Sequence, residues 1–315
     1  MTRRRIFKLA ATVCVLYLCG CVAGGILLAE MQLHPPRMPI RYRDRFTQIV
    51  QNDFHSALQD VSIAAADGIT LRGWYVVPQN DNGNAVILFH GVSDNREGVA
   101  GYARLFLQNG YRVLLPDSRA HGVSDGKLAT YGILESDDIR RWLDWLETQH
   151  PSCVYGFGES MGAALLVQSL KKENRFCAAI AESPFAKFQD VAYERAARYT
   201  RLPFWVGRTI ERPIVDFALF YVRRKYGFDF RELDNRNAIA NSRTPILLIA
   251  DERDLDILPH HVVELHQANP QLTQLWAVNG AAHGGAWSAN PDEFNRRILT
   301  FMKASSTVNA AIKSF

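Results

Sequence analysis

From residue 85 onward, short apolar runs alternate with stretches whose apolar residues recur at helical spacing. Ala85-Val86-Ile87-Leu88-Phe89 is wholly apolar, as a strand buried on both faces must be. A helix is predicted over 97–109, closed by Asn109-Gly110, and a strand over 111–115. Ile139, Leu143 and Leu146 place a helix between Ile133 and Thr148. A strand over 153–157, a helix over 160–171 and a strand over 178–181 follow. The alternation lapses after residue 184. It resumes with a strand over 246–250, a helix near 260–268, a strand over 274–278 and a helix over 291–303. Ahead of this series, apolar runs at 61–65 and 69–77 flank Asp67-Gly68, a pair suited to a hairpin turn. Residues 41–56 read as a mixed polar lead-in. The alternation predicts the α/β class, a mostly parallel sheet covered by helices on both faces. In such sheets, sites form beyond the carboxyl ends of the strands.

The first thirty residues follow a different pattern. Arg3, Arg4, Arg5 and Lys8 precede a stretch from Leu9 to Ala29 that carries no charge. A membrane-spanning helix needs ~20 apolar residues, so the segment reads as an uncleaved anchor with its basic tail in the cytoplasm and the body outside. Two other readings stand beside it: a twin-arginine export signal, and a lipoprotein signal at Leu18-Cys19-Gly20-Cys21. His34-Pro35-Pro36-Arg37-Met38-Pro39 then reads as a stiff linker. The expected divisions are 1–30 for the anchor, 31–57 for linker and lead-in, 58–305 for the main domain and 306–315 for a tail.

Composition narrows the function classes. A net charge of +4 over 315 residues is too small to make nucleic acid the expected partner. No CxxC pair and no zinc-like spacing is present, so no metal or other cofactor is expected. Cys153 and Cys177 read as two buried thiols, with nothing in the sequence to pair them.

The polar clusters all fall directly after predicted strands. They are His90-Gly91-Val92-Ser93, Asp117-Ser118-Arg119-Ala120-His121-Gly122, Gly158-Glu159-Ser160-Met161-Gly162, Asp251-Glu252-Arg253-Asp254-Leu255-Asp256 and Ala281-Ala282-His283-Gly284. The third is a Gly-x-Ser-x-Gly turn between strand and helix, which presents a serine hydroxyl at a helix N-terminus. A serine needs a base to take its proton, and the base needs an anion to hold its tautomer. Ser160, Asp254 and His283 occur in the chain order expected for this turn, with Asp256 and Asp251 as alternative acids.

With these motifs in place the chain resembles an α/β-hydrolase. It is most similar to the small esterase and serine-peptidase-like (serine aminopeptidase-type) branch. The resemblance rests on His90-Gly91, the Asp-x-Arg-x-His-Gly-x-Ser stretch from Asp117 to Ser124, and the Gly-Glu-Ser-Met-Gly elbow. It implies Ser160 as nucleophile, His283 as general base and an oxyanion hole from the backbone N–H groups of Val92 and Met161. The acid turn departs from the usual pattern by one residue between Pro245 and Pro259. The resemblance also implies a helical lid at about 185–242. This insertion is rich in aromatics (Phe188, Tyr193, Phe204, Trp205, Phe217, Phe220) interleaved with arginines.

The expected activity is hydrolysis of a small-molecule carboxylic or thio ester through an acyl-enzyme, at a membrane. A peptidase or amidase using the same residues, and a non-catalytic binding protein, are the rivals. His90, His121, Asp117, Arg119 and Glu159 are expected to shape loops. His260, His261 and Glu264 read as a solvated helix face.

Overall fold

The computed structural model describes residues 2–199, 209 and 211–313. Arg201, Pro203, Phe204, Trp205 and Arg208 of the insertion lie outside the described residues. The chain divides into two compact units. One combines Met1–His34 with Phe188–Leu233; the other combines Pro35–Lys187 with Asp234–Phe315.

The larger unit is built on one eight-stranded sheet. It begins with α2 (Arg43–Phe54), the second helix of the chain after the N-terminal α1 (Arg3–Leu33). The hairpin β1 (Gln59–Ala64) and β2 (Thr70–Val76) follows, then β3 (Ala85–Phe89), α3 (Ala100–Gln108), β4 (Arg112–Pro116) and α4 (Glu135–Glu147). Next come β5 (Val154–Glu159), α5 (Met161–Ser169) and β6 (Phe176–Glu182). The chain then leaves for the smaller unit, which holds α6 (Phe188–Tyr199) and α7 (Arg212–Tyr226). It returns with α8 (Asn235–Asn241), β7 (Ile246–Asp251), α9 (His260–Ala268), β8 (Thr273–Val278), α10 (Ala286–Ala289) and α11 (Pro291–Lys313). The strands form one sheet in the order β1-β2-β4-β3-β5-β6-β7-β8. β2 runs antiparallel to both neighbours, and every pair from β4 to β8 is parallel.

This order puts a topological switch at β3. The chain moves from β3 outward to β4, then crosses back to place β5 on the other side of β3. Phe89 pairs with Gly158, so the loop after β3 and the turn after β5 leave the sheet side by side. A crevice at such a point is the usual location of a site.

The short α10 was not predicted, and two other elements differ from the sequence reading. Residues 43–54 form a helix, because Phe46, Val50 and Phe54 recur every fourth position and bury one face. The ring of Phe46 stacks on Trp74 at 5.5 Å. The last helix runs on to Lys313 rather than ending at 303.

Cys153 and Cys177 form a disulfide. The physical reason lies in register. Val154 at the start of β5 pairs with Phe176 at the start of β6, which brings the two Cα atoms within 5.8 Å. Neighbouring parallel strands juxtapose residues that are distant in sequence, and no local pattern reports it. The bridge closes a loop of 24 residues. Replacing both cysteines by serine should cost about 3 kcal/mol of stability, read as a lower denaturant midpoint in the double variant.

Candidate active site

The turn after β5 is shaped by close backbone approach. A Cβ at position 162 would stand 2.1 Å from the carbonyl oxygen of Phe89, and one at 158 would stand 2.5 Å from the backbone of Gly162. Only glycine lets α5 pass this close to β3 and β5. Between them Ser160 takes φ 55° and ψ −117°, a left-handed position that costs a non-glycine residue roughly 1–3 kcal/mol. The turn presents the largely buried hydroxyl at the N-terminus of α5.

The structure joins three of the sequence-predicted residues into one hydrogen-bonded chain. Ser160 Oγ lies 2.7 Å from His283 Nε2, and His283 Nδ1 lies 2.6 Å from Asp254 Oδ2. The three come from the ends of β5, β7 and β8. Asp254 is buried, and its other oxygen accepts the backbone N–H groups of Asp256 (2.8 Å) and Ile257 (2.9 Å). That is how the turn absorbs its extra residue: the chain wraps its own amides around the Asp254 carboxylate. Of the alternative acids, Asp256 has an exposed side chain. Asp251 accepts from Ser183 Oγ at 3.0 Å and from the N–H groups of Gly284 (2.9 Å) and Gly285 (3.4 Å). It thereby holds the loop that carries His283.

The electrostatics follow from these partners. Burial disfavours the charge on Asp254, but the His283 hydrogen bond and charge outweigh it and hold the carboxyl below its usual range. Burial likewise opposes the imidazolium of His283, and the Asp254 hydrogen bond and charge overcome that and raise its pKa above the ordinary 6.5.

Val92 and Met161 are the residues whose N–H groups the sequence reading expected at this turn. Among the described residues, neither N–H donates to a protein acceptor. A Cβ on Gly91 would stand 3.7 Å from Ser160 Cβ, so the loop after β3 passes beside the serine. That loop is fixed from below. The Ser118 N–H donates to His90 Nε2 at 3.0 Å, so His90 carries its proton on Nδ1, which donates to the Gly91 carbonyl at 2.8 Å. Burial lowers the pKa of His90 and that of His121, the latter to about 4. Asp117 accepts from the Arg96 N–H (2.8 Å), the Arg96 guanidinium (2.7 Å) and the Val123 N–H (2.8 Å). Arg119 forks onto Asp138 at 2.7 and 2.8 Å.

One group of residues escaped the sequence reading as a group. Glu159, Glu182 and Asp251 end β5, β6 and β7: Glu159 pairs with Glu182, and Asp251 lies two residues beyond Ile249, the partner of Glu182. Glu182 accepts the Ala286 N–H at 2.9 Å, and Tyr102 donates weakly to Glu159 (3.3 Å) and Glu182 (3.4 Å). Burial pushes Glu159 up to about 7 and Asp251 up to about 6. It pushes Glu182 well above the carboxylate range, with the charges of Asp251 and Glu159 adding to the effect. An acidic residue at each of three strand ends was the available signal. His260 is exposed and pairs with Glu264 at 3.1 Å, but His261 is fully buried and not part of a solvated face.

Residues 86–297 match the model of the alpha/beta hydrolase family. An uncharacterized protein of Bacillus subtilis, YqkD, is 31% identical over 246 residues, which cover 76% of this chain and 77% of that one. The polyketide transferase ATR5 of Stachybotrys chlorohalonatus is 31% identical over 146 residues, 44% of this chain and 48% of its own. The esterase Pf2001 of Pyrococcus furiosus has a similar fold, with a TM-score of 0.69 and 24% identity over 86% of this chain and 99% of that one. The chain belongs to the alpha/beta hydrolase family.

A Gly162→Ala replacement should force β3 and α5 apart, at a cost of about 1–3 kcal/mol. Thermal unfolding should report that cost. Labelling of Ser160 by a fluorophosphonate should fall with it, because the serine shares the displaced turn.

Proposed function

We propose that this hydrolase cleaves small carboxylic or thio esters through an acyl-enzyme on Ser160. The unbroken chain Ser160 Oγ to His283 Nε2 (2.7 Å) and His283 Nδ1 to Asp254 (2.6 Å) carries the reading. Ser160 Oγ attacks the acyl carbon, forming the C–O bond while its proton passes to His283 Nε2. The carbonyl electron pair moves onto oxygen, where the N–H groups of Val92 and Met161 stabilise it. Collapse of this adduct expels the alcohol or thiol, which takes the proton from His283. Water then repeats the sequence in reverse, and frees the acid and the serine. Asp254 stays ionised throughout and stabilises the imidazolium, in keeping with its lowered pKa.

α1 is long and apolar enough to cross a membrane. Its flanking basic tail, Arg3 to Lys8, favours a single-pass anchor with the tail in the cytoplasm. The Cys153–Cys177 disulfide supports the same orientation, because such bonds persist in oxidising compartments.

The test uses p-nitrophenyl esters from acetyl to palmitoyl. The wild-type protein should turn over part of this series, and Ser160→Ala should lose at least ~10⁴-fold in kcat. An unchanged rate in Ser160→Ala would remove the serine mechanism. The base works only when neutral, so kcat/KM should rise with pH through a midpoint above 6.5, the ordinary histidine value. Asp254→Asn should lower that midpoint and reduce kcat by roughly 10³–10⁴-fold.

A further inference from the structure

We propose that the smaller unit carries a binding site for the headgroup of an anionic phospholipid, formed by Arg223, Arg224 and Arg231 with Phe220 at its edge. This rests on the reading of α1 as a membrane anchor.

The argument starts from how α1 and α7 pack. Cys21, Gly25, Ala29 and Leu33 recur every fourth position and are buried. A Cβ on Gly25 would stand 2.8 Å from the Ile214 carbonyl oxygen and 3.0 Å from the Ala218 nitrogen, so the two helix backbones touch there. Further along, Glu30 accepts from Tyr221 Oη (2.7 Å), Lys225 Nζ (2.8 Å) and Tyr226 Oη (2.9 Å). Gly25 therefore stands level with Ile214–Ala218, and Glu30 level with Tyr221–Tyr226. The helices run parallel.

α1 then serves as a depth gauge for α7. The charge-free stretch from Leu9 to Ala29 matches the hydrocarbon thickness of ~30 Å at ~1.5 Å per residue. Leu9, Leu16 and Leu18 are exposed, as lipid-facing residues must be. Glu30 is the first charge of α1 beyond the stretch, and the exposed ion pair of Arg212 with Asp216 lies beside the Gly25 level on α7, so the membrane–water boundary falls between Gly25 and Glu30. The partners of Glu30 are two tyrosines and a lysine, residue types that favour that boundary. Phe220, exposed at 56%, precedes Tyr221 directly, and Arg223 and Arg224 follow within one turn. The apolar ring thus sits at the acyl edge and the guanidinium groups at phosphate level.

The smaller unit has a cavity of about 430 Å³ whose lining runs from Asp216, level with Gly25, to Arg223 and Arg224, level with Glu30, and includes Leu219, Phe220, Arg231 and Gln189. The volume falls in the range of small-ligand sites, ~300–1000 Å³. Its three arginines face one lining carboxylate, Asp216, which is already engaged by Tyr193 Oη and by Arg212 at 3.7 Å. Asp229 holds Arg231 (2.7 Å) and, more loosely, Arg223 (3.5 Å). Arg224 has no ion pair among the described residues. A guanidinium left over in a cavity at phosphate depth suits a phosphodiester, which Arg binds with two parallel N–H donors.

The test places benzoylphenylalanine at position 220, and separately at Leu16, in the full-length protein in nanodiscs. The discs contain phosphatidylcholine alone or mixed with phosphatidylglycerol, and lipid adducts are read by mass. The expected result is a phosphatidylglycerol adduct at 220 that falls about tenfold when Arg223, Arg224 and Arg231 all become Gln. Lysine at the same positions should restore part of it, and matching thermal unfolding of both variants checks that the unit has folded. Equal phosphatidylcholine capture, indifferent to the arginines, would overturn the headgroup site. Lipid capture at Leu16 but not at 220 would overturn it while leaving the anchor intact. Capture at neither position would remove the anchor reading and the proposal together.

Discussion

The contact between Gly162 and the Phe89 carbonyl sets the rest of the site. With no Cβ in the way, α5 starts against the ends of β3 and β5, and Ser160 is forced to a positive φ. Its hydroxyl then points away from the sheet toward the loop after β8. The strain costs roughly 1–3 kcal/mol, a large fraction of the net stability of a typical domain. It is offset by the close-packed strands beneath, where Val86, Leu88, Phe157 and Ile180 are buried in one apolar cluster.

Around this turn the structure spends acidic groups for two opposite ends. Asp254 is kept ionised by His283 and by two backbone amides, although it is buried. Glu159, Glu182 and Asp251 are crowded together at adjacent strand ends, and burial drives their pKa values up. The two behaviours carry opposite pH signatures. A lowered carboxyl adds stability that disappears as pH falls through its folded pKa. Raised carboxyls bind protons more tightly in the folded state, so stability declines as pH climbs from their unfolded pKa of ~4 toward 7. The acidic cluster thus favours the folded loop of His283 most below pH ~4 and loses that contribution toward 7, whereas the proposed base needs a pH above its own raised pKa.

Much of the fold was legible along the chain. The alternation of buried runs and helical spacing reports a parallel sheet, because strands covered on both faces are apolar throughout. Position 160 was legible because the turn demands small residues on either side. The helix at 43–54 was missed because its apolar face is only three residues long, set among charged and amide side chains. His261 was misread because its burial depends on packing against Ala186, a residue far from it in sequence.

Sequence by itself determined the order of the strands, the apolar α1 and the strand ends on which every polar cluster falls. These follow from local periodicity and from the steric needs of single turns. Tertiary structure alone decided which of three aspartates reaches His283, that Cys153 meets Cys177, and that three carboxylates share one buried space. It also set α7 parallel to the end of α1, through Gly25, which allows backbone contact. Each of these depends on register between strands or helices distant in sequence, where a shift of one residue changes every neighbour.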